Sequence, residues 1–279
     1  MTDRTIVFVD GAWHEGDIKL LSARSQATYQ GALVFDGARA IDGRTPDLDR
    51  HCQRVVRSAR ALGLEPTHAP EAILELCQDG IARFPAGESL YIRPTFHADH
   101  GFIAPDASST KFSLAIWPAP LPEPGPRTVA LAKHRRPSAE YAPTHAKAAC
   151  LYPQAGLALL EAQKRGFTDA LMLDPIGHVA EFGYSNIMIG KDGAVHTPIW
   201  NGCFLNGITR QRVIALLREA GVAVHERPIR FEEVMDADEV FATGNFAKLL
   251  PVTGVEDRAF QPGPLYAKAR ALYWDWMYR

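Results

Sequence analysis

Apolar residues recur at two spacings along this chain, every second position in some stretches and every third or fourth in others, and the switches between them outline its elements. "RTIVFVDGAWHE" alternates on either side of a D-G pair and predicts strand, turn, strand, while "GALVFDGARAIDGR" predicts another hairpin. In "PDLDRHCQRVVRSARALGL" the apolar positions Leu48, Cys52, Val55, Val56, Ala59 and Leu62 share one helical face, and Gly63 supplies a stop. "PEAILELCQDGIARF" reads as a second helix, and "SLYIRPTFHA" and "KFSLAIWPA" as strands. Further on, Tyr152 to Arg165 predicts a helix ending at Gly166, and "DALMLDPIGHVAEFG" and "NIMIGKDGAVHTP" each predict strand, turn, strand. "GITRQRVIALLREAG" is a helix, "ADEVFATGN" a strand running into a glycine turn, and "LYAKARALYWDWMYR" a closing helix.

Such a mixture predicts an α+β protein with helices on one side of a mainly antiparallel sheet. "WPAPLPEPGPR", Trp117 to Arg127, is too dense in proline for a helix or a central strand and reads as an extended linker. The expected organisation is a smaller N-terminal domain over 1–117, a linker over 118–127 and a larger C-terminal domain over 128–279 that carries Lys147.

Composition narrows the function classes. A formal net charge of -2 on 279 residues offers no basic surface for nucleic acid or an anionic membrane. No apolar run approaches the roughly 20 residues of a membrane helix, and the N-terminus lacks the features of a secretory signal. The four cysteines form no C-x-x-C pair, so reduced thiols in a cytoplasm are expected, and the histidines show no metal-binding spacing.

Three stretches carry candidate chemistry. In "THAKAACLYP" Lys147 sits among small apolar residues that could leave room for a ring and keep water from its amine. A lysine so placed loses solvation for its charged form and becomes a nucleophile toward carbonyls; the plain alternative is an exposed lysine near a helix start. Glu181 lies in the apolar "GHVAEFGYSN", where a carboxylate needs a cationic partner unless it faces outward from an edge strand. In "LNGITR" a glycine precedes a helix, so the free N–H groups of Ile208 and Thr209 could hold an anion, or Thr209 could simply cap the helix. "FATGNFAK" adds a second glycine turn, and no glycine-rich nucleotide loop is present. An amine, a buried acid and two anion-binding turns are together what pyridoxal 5'-phosphate requires.

On these motifs the chain resembles the fold-type IV pyridoxal-phosphate aminotransferases over nearly its whole length, most strongly from Lys147 to Pro251. The resemblance implies two domains, the larger with a mainly antiparallel barrel-like sheet. It implies that Lys147 in "AKAACLY" is the Schiff-base lysine, with Tyr152 beside it, and that Glu181 pairs with the pyridine nitrogen. It also implies that Leu205 packs on the ring, while Ile208, Thr209, Asn245 and Arg54 hold the phosphate. "VFDGARA" and "LYIRP" resemble the branched-chain subgroup, which places Gln30, Phe35, Arg39, Tyr91, Arg93 and Phe246 at the substrate. The sequence departs from that subgroup at Gln30, at Cys150 and Leu151, and at Asn245 and Phe246. The implied reaction moves an amino group from a branched-chain L-amino acid to a 2-oxo acid by a ping-pong route in a homodimer. D-amino acids or (R)-amines are alternative donors, an aminodeoxychorismate lyase is another reaction on this scaffold, and a non-catalytic phosphate-ligand or vitamer binder is the non-enzyme alternative.

Overall fold

The computed structural model describes residues 4–279, and these fold into two compact units. The first holds the described residues up to Leu121 together with His145–Leu151, and the second holds Pro122–Thr144 and Tyr152–Arg279.

In the first unit, β1 (Ile6–Val9) and β2 (Ala12–Glu15) form the expected hairpin, closed by Asp10 and Gly11 at φ 50° and 79°. Positive φ at both positions matches the twist of the flanking strands. A short helix, α1 (Gln26–Gln30), precedes β3 (Leu33–Phe35) and β4 (Ala38–Ala40). Helices α2 (Leu48–Ala61) and α3 (Pro70–Ile81) follow, then β5 (Leu90–Ala98) and β6 (Thr110–Pro118). The sheet is antiparallel in the order β2-β1-β6-β5-β3, with β4 also on β5. Val55, Val56, Ile73 and Cys77 of the helices and Ile92, Leu114 and Ile116 of the strands are all buried. A Cβ on Gly80 of α3 would lie 2.5 Å from Ile116 and Trp13 side-chain atoms, so glycine permits this close helix–sheet approach.

The hairpin expected in "GALVFDGARAIDGR" does not turn at its first D-G pair. Strands β3 and β4 each pair with β5 and not with one another. The intervening D-G pair is packed inside: Asp36 is fully buried, and Gly37 lies against the Tyr91 ring. The turn comes later, at Asp42 and Gly43, with Ile41 and Arg44 paired across it. Pro94 sits opposite the break between β3 and β4, where its missing N–H breaks no ladder and its carbonyl accepts from Asp36 N–H at 3.0 Å.

In the second unit, β7 (Thr128–Leu131), β8 (Asp169–Leu173) and β9 (Val179–Phe182) belong to one sheet. Helix α4 (Tyr152–Lys164) runs between β7 and β8. A second sheet contains β10 (Asn186–Lys191) and β11 (Ala194–Pro198), and after α5 (Ile208–Glu219) also β12 (Val224–Arg227). Beyond α6 (Phe231–Met235) that sheet gains β13 (Glu239–Gly244) and β14 (Lys248–Pro251). Strands β15 (Gly254–Val255) and β16 (Arg258–Ala259) return to the first sheet, and α7 (Pro264–Tyr278) closes the chain. Hydrogen bonding thus gives two five-stranded sheets, mainly antiparallel but with parallel pairs at β7–β8, β7–β15 and β11–β12. Strand alternation explains the layers: Val129 and Leu171 face Ile187, Ile189 and Val240 of the other sheet. Their neighbours Ala130, Ala170 and Met172 face Ala155, Ala158 and Ala162 of α4, whose small side chains let the helix lie close.

Candidate active site

Lys147 is held by its backbone. Its N–H donates to Ser58 Oγ at 2.9 Å, and its carbonyl accepts from Phe35 N–H at 3.1 Å. Ala148 pairs with Val34 across an isolated antiparallel bridge. This docking on β3 and α2 is why His145–Leu151, expected within the C-terminal domain, groups with the first unit. The neighbouring alanines therefore serve strand pairing: Ala146 and Ala148 are buried, and larger side chains would push the segment off β3. The lysine Nζ, on a half-buried side chain, lies 4.8 Å from the Phe35 ring centroid.

One face of α2 supports this region through His51, Arg54 and Ser58. Arg54 donates to Asp36 through Nε at 2.7 Å and Nη2 at 2.8 Å, and His51 Nδ1 meets the same carboxylate at 2.7 Å. Burial alone would raise the Asp36 carboxyl, but the charges and hydrogen bonds of Arg54 and His51 outweigh it and hold the group well below the usual carboxylate range. Neither Asp36 nor His51 is expected from the sequence, although a carboxylate next to a glycine between two apolar strands is a signal of an interior bend.

The residues expected at the substrate separate into groups. Tyr91 stacks on Trp117 with centroids 4.9 Å apart, and the exposed Arg93 lies 4.6 Å over the Trp117 ring. Arg39 is buried, donates to Ala119 O at 2.5 Å and lies under Tyr91, a placement that supports that ring. Gln30 is exposed at the end of α1. Phe246 belongs to the second unit, where it meets Tyr184 edge to face at 6.4 Å.

The second unit holds the acid and the anion-binding turns. Glu181, on edge strand β9, is nonetheless buried at 8% exposure. Its Oε1 lies 3.2 Å from Nε of the buried Arg136, a cationic neighbour. Its Oε2 accepts from Asn186 Nδ2 at 3.3 Å, and the same Nδ2 donates to Leu205 O at 2.9 Å. A Cβ on Gly207 would lie 2.1 Å from Asn186 Oδ1, so the glycine of "LNGITR" makes room for Asn186. Across the sheet Asn186 pairs with Thr243, one residue before Gly244. Asn186 thus gathers the carboxylate, the start of α5 and the end of β13 into one place.

Gly207 is the N-cap of α5, and no side chain caps that helix, so Thr209 is not its cap. Ile208 and Thr209 are buried in the first turn, where unpaired N–H groups and the helix dipole favour an anion. Arg210 anchors this start by donating to Asn206 Oδ1 at 3.0 Å and Pro198 O at 2.7 Å. At the other turn, Thr243 Oγ1 and Asn245 Nδ2 are buried polar atoms without a hydrogen-bond partner. Arg136 and Asn186 escape notice in the sequence: the first hides in the basic run "KHRRP", the second in a strand where only Glu181 stands out.

Comparison with known proteins bears on the whole chain. Residues 33–255 match the family described as amino-transferase class IV. The chain is 33% identical over 299 residues to the branched-chain-amino-acid aminotransferase of Pseudomonas aeruginosa, an alignment covering 99% of this chain and 94% of the relative. It is 31% identical over 257 residues to the branched-chain-amino-acid aminotransferase of Escherichia coli K12, covering 88% and 82%. Among solved structures, an aminotransferase from Brucella abortus bound to the cofactor PLP matches at TM-score 0.97 and 48% identity over 99% of this chain and all of that one. The branched-chain aminotransferase of the archaeon Thermoproteus uzoniensis, solved with norvaline, matches at 0.89 and 29% identity over 97% and 94%.

Proposed function

This chain belongs to the class IV aminotransferases, and we propose that it moves an amino group from a branched-chain L-amino acid to 2-oxoglutarate or pyruvate. It is a pyridoxal-phosphate-dependent transaminase. The names of the curated relatives support the branched-chain donor. The observation that carries the cofactor assignment is the junction at Asn186: a buried carboxylate, an uncapped helix start and two orphaned buried donors fit a molecule that is cationic at one end and anionic at the other.

We assign Lys147 as the covalent attachment point, Glu181 to the ring nitrogen and Leu205 to the ring face. To the phosphate we assign Ile208, Thr209, Asn245 and Arg54, and to the cofactor near its attachment point Tyr152. Phe35, Tyr91, Arg93, Gln30 and Phe246 shape the substrate pocket, with Arg39 behind Tyr91. When bound, pyridoxal phosphate supplies an electrophilic carbon and a ring that accepts the electron pair released as the donor's α C–H bond breaks. Lys147 Nζ takes that α-proton as general base and returns a proton as general acid. Glu181 would hold a proton on the ring nitrogen by setting a buried negative charge beside it. Donor and acceptor use the same groups in turn, which gives ping-pong kinetics.

A homodimer and a cytoplasmic setting complete the proposal. The first is supported by Leu157 and Leu160 of α4, each about half exposed, and the second by four free cysteines. No described helix is long and apolar enough to cross a membrane.

Lys147→Ala tests the core of the assignment: the visible band of the cofactor adduct and turnover should both be lost, and a variant with normal activity would end the reading. Mixing the loaded enzyme with L-leucine, D-alanine or (R)-1-phenylethylamine tests the donor. Bleaching by L-leucine is expected; bleaching by D-alanine or the amine alone would transfer the assignment to the other donor class, for which the altered Gln30 and Phe246 speak.

A further inference from the structure

The hairpin joining β13 to β14 has a feature that the cofactor assignment alone does not require. Gly244 pairs with Lys248 across a three-residue turn of Asn245, Phe246 and Ala247. Lys248 opens β14 at φ 63°, a left-handed conformation that a side chain rarely adopts, and is buried at 1% exposure. Its side chain folds back so that Nζ donates to Asn245 Oδ1 at 2.6 Å.

That contact fixes the Asn245 amide. An ammonium has three donors and no acceptor, so the atom facing it is the carbonyl oxygen. Asn245 Nδ2 is then turned away from the lysine, and it is buried without an acceptor. Two residues earlier Thr243 Oγ1 is in the same condition. Thr243 pairs with Asn186, which abuts Gly207 at the uncapped start of α5. Two unmet donors beside a helix start, with a lysine charge beneath the turn, describe a receptor for an anion.

We propose that Lys248 is a positioning residue for the cofactor's phosphate. It locks the Asn245 amide with Nδ2 forward and places a positive charge behind it. The proposal rests on the pyridoxal-phosphate reading, and two vitamers separate the two.

Wild type, Lys248→Met and Asn245→Asp are freed of cofactor and titrated with pyridoxal 5'-phosphate and with pyridoxal, which lacks the phosphate. The visible adduct band reports affinity, and the phosphorus NMR shift reports the ester's surroundings. Lys248→Met should weaken pyridoxal phosphate about tenfold or more and move its phosphorus resonance, while pyridoxal affinity stays within about twofold. Asn245→Asp keeps an oxygen for Lys248, and so keeps the turn, but sets a carboxylate toward the phosphate. It should weaken the phosphorylated vitamer by about 100-fold and leave pyridoxal unchanged. Either variant holding pyridoxal phosphate as wild type does, or losing both vitamers equally, overturns the proposal. If Lys248→Met does not fold, Lys248→Gln, which keeps a donor for Asn245 Oδ1 without the charge, is judged by the same criterion. Wild type that forms an adduct with neither vitamer would sink the cofactor reading itself.

Discussion

Replacing Asp36 by Asn changes one atom and should cost far more than its size suggests. The carboxylate is fully buried, and its Oδ1 receives Gly37 N–H at 2.7 Å, His51 at 2.7 Å and Arg54 Nη2 at 2.8 Å. Its Oδ2 receives Arg54 Nε at 2.7 Å. Asparagine keeps an oxygen at the crowded position only by turning its NH2 against Arg54 Nε, donor facing donor. The guanidinium, itself buried at 8% exposure, then loses the carboxylate charge that it meets through Nε and Nη2. Breaking a buried pair from one side costs about 3–5 kcal/mol. At about 2–4 °C per kcal/mol, the melting temperature should fall on the order of 10 °C. Calorimetry on the cofactor-free proteins measures this without the stabilisation that a ligand adds. The pH dependence gives a second check. A carboxyl held below its ordinary value contributes fully above its unfolded pKa of about 3.9, and loses that contribution as pH falls through the lower folded value. The gap between wild type and variant should therefore persist down to about pH 5 and close only in stronger acid. A shift under about 2 °C at neutral pH, or a gap closing near pH 6, would refute the reasoning.

Gly207→Ala leaves an ordinary backbone, since φ is -62°, but its methyl meets Asn186 Oδ1 at 2.1 Å. Displacing Asn186 should cost about 1–3 kcal/mol and weaken cofactor affinity; a variant that titrates with pyridoxal phosphate like wild type would remove Asn186 from its linking role. Glu181→Gln should keep the visible band yet slow the donor half-reaction about 100-fold in stopped-flow measurements, and an unchanged rate would deny the carboxylate its part.

Much of this could be read from the order of residues, because local physics decided it. Asp10-Gly11 and Asp192-Gly193 turn where positive φ is needed, and α2, α3 and α5 lie where apolar spacing placed them. "VFDGARA" misled because an inward-facing D-G pair and an outward-facing one share the same letters; what turned it inward was Arg54, eighteen residues later, and Tyr91 on another strand. The two sheets of the second unit escaped for a similar reason. Strand β12 is short and joins β11 in parallel only after α5 has intervened, so no local turn announces the pairing. Lys147 and Glu181 stood out as polar groups in apolar settings. Arg136, Asn186 and Lys248 did not, since their importance lies in which atom each one faces.

The excursion of His145–Leu151 has a bearing on how this protein could be cut or recombined. The polypeptide leaves the second unit for seven residues, hydrogen-bonds to β3 and α2, and returns to begin α4. A nick in the proline-rich stretch would not yield two self-sufficient fragments, because the downstream piece would carry away a segment whose partners stay upstream. Gene fusions that trade one half for a homologue's would have to match that seven-residue graft to its host, and Lys147, the proposed nucleophile, sits within it.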